Sequence, residues 1–399
     1  MSIFPVKGIR LGTTAAAIRY ADRDDLVVIE CQEGTSCAAV FTRNRFSAAP
    51  IQVAKEHLKQ AAPRALLINS GNANAGTGEQ GAQDAILCCQ MLADGLGCNV
   101  SEVLPYSTGV IGEHLPVQAF ELALPECVKN LSPGSDAWER ASKAIMTTDT
   151  VPKLFSRKVD IAGCEVTITG MSKGAGMIRP DMATMLAYIA TDAVIEQPEL
   201  QKLLNEAIEV SFNRITVDGD TSTNDACTML ASGVAEMQAI AYSTVEYDQF
   251  SSALTGLMQD LAQAIIRDAE GASKFITINV SGGESEADCL AAAYTVAESP
   301  LVKTALFASD PNWGRILAAV GRAPVSKLDI KQVSIKLNDV AIVTAGEPDP
   351  TYTEEAGQQA VASTDIVVDI ELGSSTEAVT VWTSDLSHEY VRINAEYRT

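Results

Sequence analysis

The chain has 399 residues, of which 47% are hydrophobic and 20% charged, and its formal net charge is −22. This composition is ordinary for a globular protein with one large core or two to three domains. A protein that binds a phosphate backbone needs clustered Lys and Arg, and this sequence has no such cluster, so we expect no nucleic-acid partner. Because neither a secretion-type N-terminus nor an apolar run of membrane-spanning length is present, we expect a cytoplasmic protein without a membrane partner.

The cysteines and histidines show no metal-binding pattern. The nine cysteines include no Cys-x-x-Cys pair and lie mostly in apolar surroundings, so they are expected to be reduced residues of the core. His57, His114 and His388 form no His-Glu-x-x-His spacing and lie in surface or helix contexts. We therefore expect no protein-held metal and disfavour Ser-His-Asp or Cys-His catalysis.

In chain order, the first predicted elements are short strands at residues 27–31, 38–41 and 65–68. The last strand precedes a glycine-rich stretch. From residue 79 to residue 96 the pattern becomes helical, and Gly97 then supplies a stop signal.

The middle of the chain alternates between strand and helix patterns. Alternating apolar residues over 159–169, around Ala162-Gly163, predict a hairpin. From Leu200 onward, apolar residues recur at i+3, i+4, i+7 and i+8, which places them on one face of a core helix. A second helix is predicted over 247–267.

A domain boundary is predicted at the polar, small-residue run 281–288, which follows a strand at 276–280 and precedes a C-terminal domain over 285–399. Four further strands are predicted at 333–337, 340–343, 366–372 and 378–382, the first two joined by a turn at Asn338-Asp339. Since strands and helices are grouped rather than strictly alternating, the fold class is α+β or layered α/β.

The most informative candidate site is the peptide bond between Ala183 and Thr184. A threonine hydroxyl needs a base, and an α-amine on the same residue, with a reference pKa of about 8, is such a base. One cut would supply both groups. Gly174 and Gly176 permit unusual backbone angles upstream, although in isolation this sequence is more typical of a buried strand or a helix start.

The stretch around this bond resembles a known family. Glycines before Met-Ile, followed by Met-Ala-Thr-Met-Leu-Ala and Ala-Thr-Asp-Ala, are similar to the self-cleavage segment of the glutamate N-acetyltransferases, or ornithine acetyltransferases, of arginine biosynthesis. Residues 41–50, 211–225 and 310–322 also resemble family segments. The similarity therefore spans the chain.

The resemblance implies both a fold and a processing event. The fold is a layered α-β-β-α arrangement like that of DmpA and the ornithine acetyltransferases. Autocleavage between Ala183 and Thr184 would yield an alpha chain, 1–183, and a beta chain, 184–399. The family form is a heterotetramer of two alpha and two beta chains.

A second motif, Tyr106-Ser-Thr-Gly-Val-Ile-Gly112, is typical of a turn when taken alone. Acyl transfer also needs preorganised donors for a tetrahedral oxyanion, and a hydroxyl followed by a glycine amide suits that task. The resemblance assigns this role to Thr108 and Gly109.

A third motif, Asn69-Ser-Gly-Asn-Ala-Asn-Ala-Gly-Thr-Gly78, follows a predicted strand. It lacks the Gly-Lys-Ser/Thr ending of a phosphate-binding loop and the spacing of a dinucleotide fingerprint. Alone it indicates a turn, whereas the resemblance places it near the active site.

Charge complementarity suggests two substrate contacts. Lys173 suits a carboxylate and Glu270 suits an ammonium, although each residue taken singly is more typical of a surface. The resemblance implies a larger set of substrate-binding residues: Thr147, Lys173, Thr184, Glu270, Asn394 and Thr399.

The expected enzyme is an acyltransferase that passes the acetyl group of N-acetylornithine to glutamate through an acetyl-enzyme on Thr184. The resemblance implies no cofactor and leaves open the use of acetyl-CoA as a co-substrate. One alternative is an N-terminal-nucleophile amidase or aminopeptidase of the same fold, in which water accepts the acyl group. Another is a binding protein on a former enzyme scaffold, which the presence of every assigned residue disfavours.

Overall fold

The computed structural model describes residues 2–179 and 185–396. Within these residues the strands are β1 (Ile9–Thr14), β2 (Leu26–Cys31), β3 (Ser36–Phe41), β4 (Ala65–Asn72), β5 (Val103–Val110), β6 (Lys153–Ile161), β7 (Cys164–Lys173), β8 (Leu186–Thr191), β9 (Ile215–Thr216), β10 (Ala226–Ala231), β11 (Phe275–Gly283), β12 (Ser334–Leu337), β13 (Val340–Thr344), β14 (Glu347–Pro348), β15 (Asp365–Glu371) and β16 (Glu377–Ser384).

The α-helices are α1 (Ala49–Gln60), α2 (Gly78–Leu96), α3 (Val117–Lys129), α4 (Ser135–Ala144), α5 (Gln197–Glu209), α6 (Val245–Arg267), α7 (Glu286–Ala297), α8 (Pro300–Phe307), α9 (Trp313–Gly321), α10 (Glu354–Val361) and α11 (His388–Ala395).

The chain divides into two units, each assembled from three stretches of sequence. The first unit is Met1–Gly174, Pro180–Asn213 and Thr221–Ile265, and the second unit is Ala175–Arg179, Arg214–Asp220 and Ile266–Thr399. This division differs from the boundary expected at 281–288, which would begin a domain over 285–399. Residues 281–283 end β11, and Ser285 caps α7 by accepting a hydrogen bond from the Asp288 amide. The polar run is therefore a strand-to-helix turn inside the second unit.

The first unit contains two sheets, with strand orders β1-β2-β4-β5 and β3-β10-β8-β7-β6. Alternate residues of the first sheet, including Val27 and Ile29, share a core with Tyr188 and Ala190 of the second sheet. Their neighbours on β2, such as Val28, instead pack with residues of α2 and α3. The period-2 alternation of a strand thus buries both faces of this sheet.

The outer face of the second sheet carries helices. Gly170 on β7 pairs with Ile189 on β8, and a Cβ atom at Gly170 would lie 2.9 Å from Leu257 and 3.1 Å from Leu261 on α6. Helix α5 packs against β3 and β10 of the same sheet. The order of layers is α2/α3, sheet, sheet, α5/α6, which confirms the predicted α-β-β-α fold class.

The second unit contains one seven-stranded sheet, in the order β14-β13-β12-β15-β11-β16-β9. Ile276, Ile278 and Val280 alternate along β11 and pack with apolar residues of α7, such as Cys289 and Val296. This apolar core holds α7 on the sheet.

Several local predictions are confirmed. Helix α2 ends at Gly97, which has φ +68°. The hairpin β6–β7 turns at Ala162 and Gly163, and β12–β13 turns at Asn338 and Asp339, all four with positive φ. Such turns match the twist of the strands they join.

All nine cysteines are free thiols and seven of them are buried. None of the helices formed by residues 2–179 and 185–396 combines the length and apolarity that a bilayer crossing needs. In the same residues, His, Cys, Asp and Glu side chains form no group of three suited to a metal ion. The absence of a protein-held metal stays a prediction.

Candidate active site

The predicted site residues are distributed over both units. Thr108, Gly109, Thr147 and Lys173 belong to the first unit, and Glu270 and Asn394 belong to the second. Ala183, Thr184 and Thr399 lie outside the described residues.

Thr108 and Gly109 lie in strand β5, so the turn suggested by their composition is wrong. Strand β5 runs parallel to β4, and the register becomes irregular where Gly71 faces Gly109. Gly109 has φ +131°, and a Cβ atom there would clash with the carbonyl carbon of Gly71. Only glycine fits this irregularity, and such bulges re-aim groups next to active sites.

The Thr108 hydroxyl accepts a hydrogen bond from the Lys173 ammonium, with 3.0 Å between Oγ1 and Nζ. Thr108 is buried, and Lys173 ends strand β7. A hydroxyl has one proton to donate and two lone pairs. Because a lone pair is used toward the lysine, the hydroxyl proton remains available to another acceptor, and the positive charge polarises the hydroxyl.

Asp149, for which the sequence carries no signal, lies among the predicted site residues of the first unit. Its carboxylate accepts hydrogen bonds from the Thr147 amide at 3.0 Å, from the Gly174 amide at 2.7 Å and from the Lys153 ammonium at 2.5 Å. The side chains of Asp149 and Lys153 are 0% and 1% exposed. One buried carboxylate therefore fixes the backbone of Thr147 and of the residue after Lys173.

The electrostatics of Asp149 favour its charged form. Burial opposes ionisation, but the charges of Lys153 and Lys173 and the hydrogen bonds from Lys153 and Gly174 bring the pKa of Asp149 down to about 2. A buried carboxylate needs such compensation. Asp149 is thus an anion at neutral pH that stabilises two nearby lysine ammonium groups.

Asp225, directly before β10, is a second buried carboxyl in the first unit. Burial raises the pKa of Asp225 well above its usual range, opposed by hydrogen bonds from Ser222 and by the charge of Lys173. Its Oδ2 atom has no hydrogen-bond partner among the described residues. Burial therefore disfavours the charged form of Asp225 relative to an exposed aspartate.

The glycine-rich motif begins within strand β4 rather than after it. Asn69 accepts a hydrogen bond from the Ser107 hydroxyl at 2.6 Å, and Ser107 precedes Thr108. Asn74 donates to the carbonyl of Gly81 at 2.9 Å and accepts from the Thr77 hydroxyl at 2.7 Å. Asn69 thus holds the side chain of the residue before Thr108, whereas Asn74 braces the entry to α2.

In the second unit, Glu270 and Asn394 are in contact. The Asn394 amide donates to Oε2 of Glu270 at 2.7 Å, and the Glu270 backbone amide donates to the Ala175 carbonyl at 2.9 Å. A Cβ atom at Gly176 would clash with Oε2, so the chain passes directly against this carboxylate. A carboxylate accepts at both oxygens, so Glu270 has acceptor capacity beyond its bond to Asn394.

The layered fold and a lysine-polarised hydroxyl beside a glycine bulge suit an enzyme that transfers acyl groups. The chain belongs to the ArgJ family, whose model matches residues 10–399. It is 54% identical to the arginine biosynthesis bifunctional protein ArgJ of Methylococcus capsulatus over 395 residues, which cover 99% of this chain and 96% of that relative.

Two further relatives support this family assignment. The protein of the same name from Pseudomonas syringae is 52% identical over 399 residues, with 100% of this chain and 98% of the relative covered. A crystal structure of the arginine biosynthesis bifunctional protein argJ from Bacillus halodurans is 35% identical, with a TM-score of 0.50, and covers 52% of this chain and 96% of the solved chain. The expected family and an acyltransferase of arginine biosynthesis are confirmed.

Proposed function

We propose that this enzyme transfers the acetyl group of N-acetylornithine to glutamate through an acetyl-enzyme on Thr184. The observation that carries the proposal is the Thr108 hydroxyl, which Lys173 polarises beside Gly109 in a chain of the ArgJ family. The transfer releases ornithine and forms N-acetylglutamate, so the acetyl group stays within arginine biosynthesis.

Activation is proposed to occur by self-cleavage. The Thr184 hydroxyl attacks the Ala183 carbonyl, and the peptide nitrogen leaves as the α-amine, which gives an ester by an N-to-O shift. Water hydrolyses that ester to give chains 1–183 and 184–399. The coverage of the Bacillus halodurans structure supports this division, because 96% of its chain matches about half of this one.

In the transfer cycle, the α-amine of Thr184 accepts the hydroxyl proton as oxygen attacks the acetyl carbonyl. The Thr108 hydroxyl and the Gly109 amide stabilise the oxyanion, and the proton then passes to the departing ornithine amine. The amine of glutamate attacks the acetyl-enzyme in the second half. This is a ping-pong sequence.

The substrate contacts follow from charge. Lys173 binds a substrate carboxylate and Glu270 a substrate ammonium, with Thr147, Asn394 and Thr399 as further contacts. The ArgJ relatives are named bifunctional, which supports acetyl-CoA as a second acetyl donor. A heterotetramer of two alpha and two beta chains in the cytoplasm completes the proposal.

The alternative is an amidase of the same fold, and one experiment separates the two functions. The protein is incubated with N-acetylornithine, with and without glutamate, and the release of ornithine is measured. Glutamate-dependent release is expected. Release at an equal rate without glutamate would identify the amidase.

The cleavage is tested on the chain itself. N-terminal sequencing of the smaller fragments should include one that begins at Thr184, whereas the Thr184→Ala chain should stay whole. A wild-type protein that never divides would remove the basis of the mechanism.

A further inference from the structure

The stretch 175–179, which precedes the proposed cleavage bond, is held by hydrogen bonds inside the second unit. The amides of Met177 and Ile178 donate to Oδ2 and Oδ1 of Asp218, at 2.7 Å and 3.0 Å. The Ile178 carbonyl accepts from the Val217 amide at 2.7 Å and from the Thr216 hydroxyl at 3.1 Å. Residues 216–218 therefore bind two consecutive residues of this stretch.

The carboxylate of Asp218 has four donors around it. Besides the two amides of the stretch, the Tyr390 hydroxyl donates to Oδ2 at 3.1 Å and the Asp220 amide donates to Oδ1 at 3.2 Å. A carboxylate offers about four acceptor sites. Protein donors thus occupy the acceptor sites of Asp218, and its role is to fix the backbone rather than to bind a substrate.

The backbone held by Asp218 is in a rarely adopted conformation. Met177 has φ +54°, in the left-handed region that favours glycine. This angle lets two successive amides converge on one anion, as they do in anion-binding nests. A strained non-glycine residue persists only where its surroundings hold it, and such residues concentrate at functional sites.

Arg179 supplies a second attachment two residues later. Its Nε donates to Oε1 of Glu298 at 2.8 Å, and its guanidinium lies 4.1 Å from the centre of the Tyr294 ring. Residues 177–179 are consequently fixed by both backbone and side-chain contacts.

We propose that Asp218 is a positioning residue for self-cleavage, because it fixes the backbone six residues before the Ala183–Thr184 bond. The inference rests on the proposed function. Asp218 exchanges no proton with the reacting groups. It narrows the conformations of the chain that leads to the bond and so raises the share of reactive geometries.

The test follows cleavage of the full chain made by in vitro translation, with the fraction divided measured over time on denaturing gels. Asp218→Asn should slow cleavage about 10- to 100-fold, since charged hydrogen bonds to two amides are weakened. Tyr390→Phe removes one donor to the same carboxylate and should slow cleavage about 2- to 5-fold. Asp220→Asn is the matched control, because only its backbone contacts Asp218.

The pH profile separates positioning from general damage. Burial raises the pKa of Asp218, which interacts electrostatically with Tyr390 and Lys303. The charges of Glu270 and Asp220 act in turn on Tyr390. Protonation removes an acceptor, so wild-type cleavage should slow as the pH falls through this pKa. In Asp218→Asn that slowing should be absent, whereas a merely unstable variant would keep it.

The outcomes are distinct. Asp218→Asn and Tyr390→Phe chains that divide at the wild-type rate, with the wild-type pH profile, would overturn the role of Asp218 alone. A wild-type chain that stays whole would instead overturn the proposed function.

Discussion

At the scale of single residues, the hydroxyl of Thr108 has the most direct chemical task in the proposed mechanism. Lys173 occupies one of its lone pairs at 3.0 Å, which leaves the proton for an acceptor. A neighbouring positive charge therefore makes this threonine a stronger donor without changing the residue itself.

Removal of that donor should reduce catalysis without preventing folding. For Thr108→Ala we expect kcat/KM for acetyl transfer to fall about 10²- to 10³-fold, the usual effect of losing one oxyanion donor. Thr108→Ser keeps the hydroxyl and should retain most of the activity. Equal rates for the alanine variant and the wild type in a steady-state assay would refute the oxyanion role.

Asp149 should matter for stability because its ion pair with Lys153 is buried. Asp149→Asn leaves Lys153 without its counter-charge and should destabilise the protein by about 3–5 kcal/mol. The double variant Asp149→Asn/Lys153→Met should recover part of this loss. Urea unfolding measures both, and a double variant less stable than Asp149→Asn would contradict the explanation.

The pH dependence of Asp149 has a defined sign. Its pKa of about 2 in the folded protein lies below the ordinary value of 3.8, so its stabilising effect is present above that value. The effect should be lost as the pH falls from about 4 toward 2. In thermal unfolding across this pH range, Asp149→Asn should lack the loss of stability that comes from protonating Asp149. A loss of stability equal to that of the wild type would contradict the role of Asp149.

At the scale of elements, the close approach of β4 and β5 determines which residues can stand at the bulge. Gly109 meets the backbone of Gly71, so any side chain must push the two strands apart. Gly163, in the hairpin turn between β6 and β7, also has positive φ, but a Cβ atom there would meet no described atom within 4 Å. The two glycines differ in the space around them rather than in the sign of φ.

This difference predicts unequal effects of one substitution. Gly109→Ala should cost about 2–4 kcal/mol and most of the transferase activity, because strain and a backbone clash add together. Gly163→Ala carries only the backbone strain and should cost about 1 kcal/mol with activity retained. Thermal unfolding and a transfer assay on both variants measure these effects. Equal losses of stability and activity in the two variants would argue against a crowded bulge at Gly109.

Elements with local signals could be predicted from the sequence. Gly97 ends α2, and Asn338-Asp339 turns β12 into β13, because each signal acts on its own neighbours. The run 281–288 is ambiguous by comparison, since small polar residues suit a domain linker and a strand-to-helix turn equally well.

Contacts between distant residues could not be predicted in this way. Lys173 and Thr108 are 65 positions apart, and Asp218 lies 41 positions from Met177. Their meeting depends on how the strands pair, which no local pattern specifies. The family resemblance pointed to Thr108 and Lys173 as site residues. It assigned no role to Asp149 or Asp218.

At the scale of the whole molecule, each unit is assembled from three separate stretches of sequence. The proposed cut after residue 183 leaves the first chain with residues in both units, because 175–179 belongs to the second. The cut therefore divides the molecule without releasing a folded piece.

The two chains of the divided protein should stay associated until the protein unfolds. In native buffer both chains should elute together, and in denaturant they should separate. Refolding of the divided wild type should then depend more steeply on protein concentration than refolding of the undivided Thr184→Ala chain, which has fewer chains to reassemble. Size-exclusion chromatography and refolding yields test this, and chains that separate in native buffer would contradict it.

The contacts of the second unit also link self-cleavage to residues far downstream of the bond. The Asp218 carboxylate that binds Met177 and Ile178 takes one of its donors from Tyr390 on helix α11, 172 positions further along the sequence. A chain that is cut short before α11 lacks that donor, so its bond at residue 183 should stay intact for longer. Such a chain would gain the α-amine of Thr184, and with it the base for acetyl transfer, more slowly than the full-length chain.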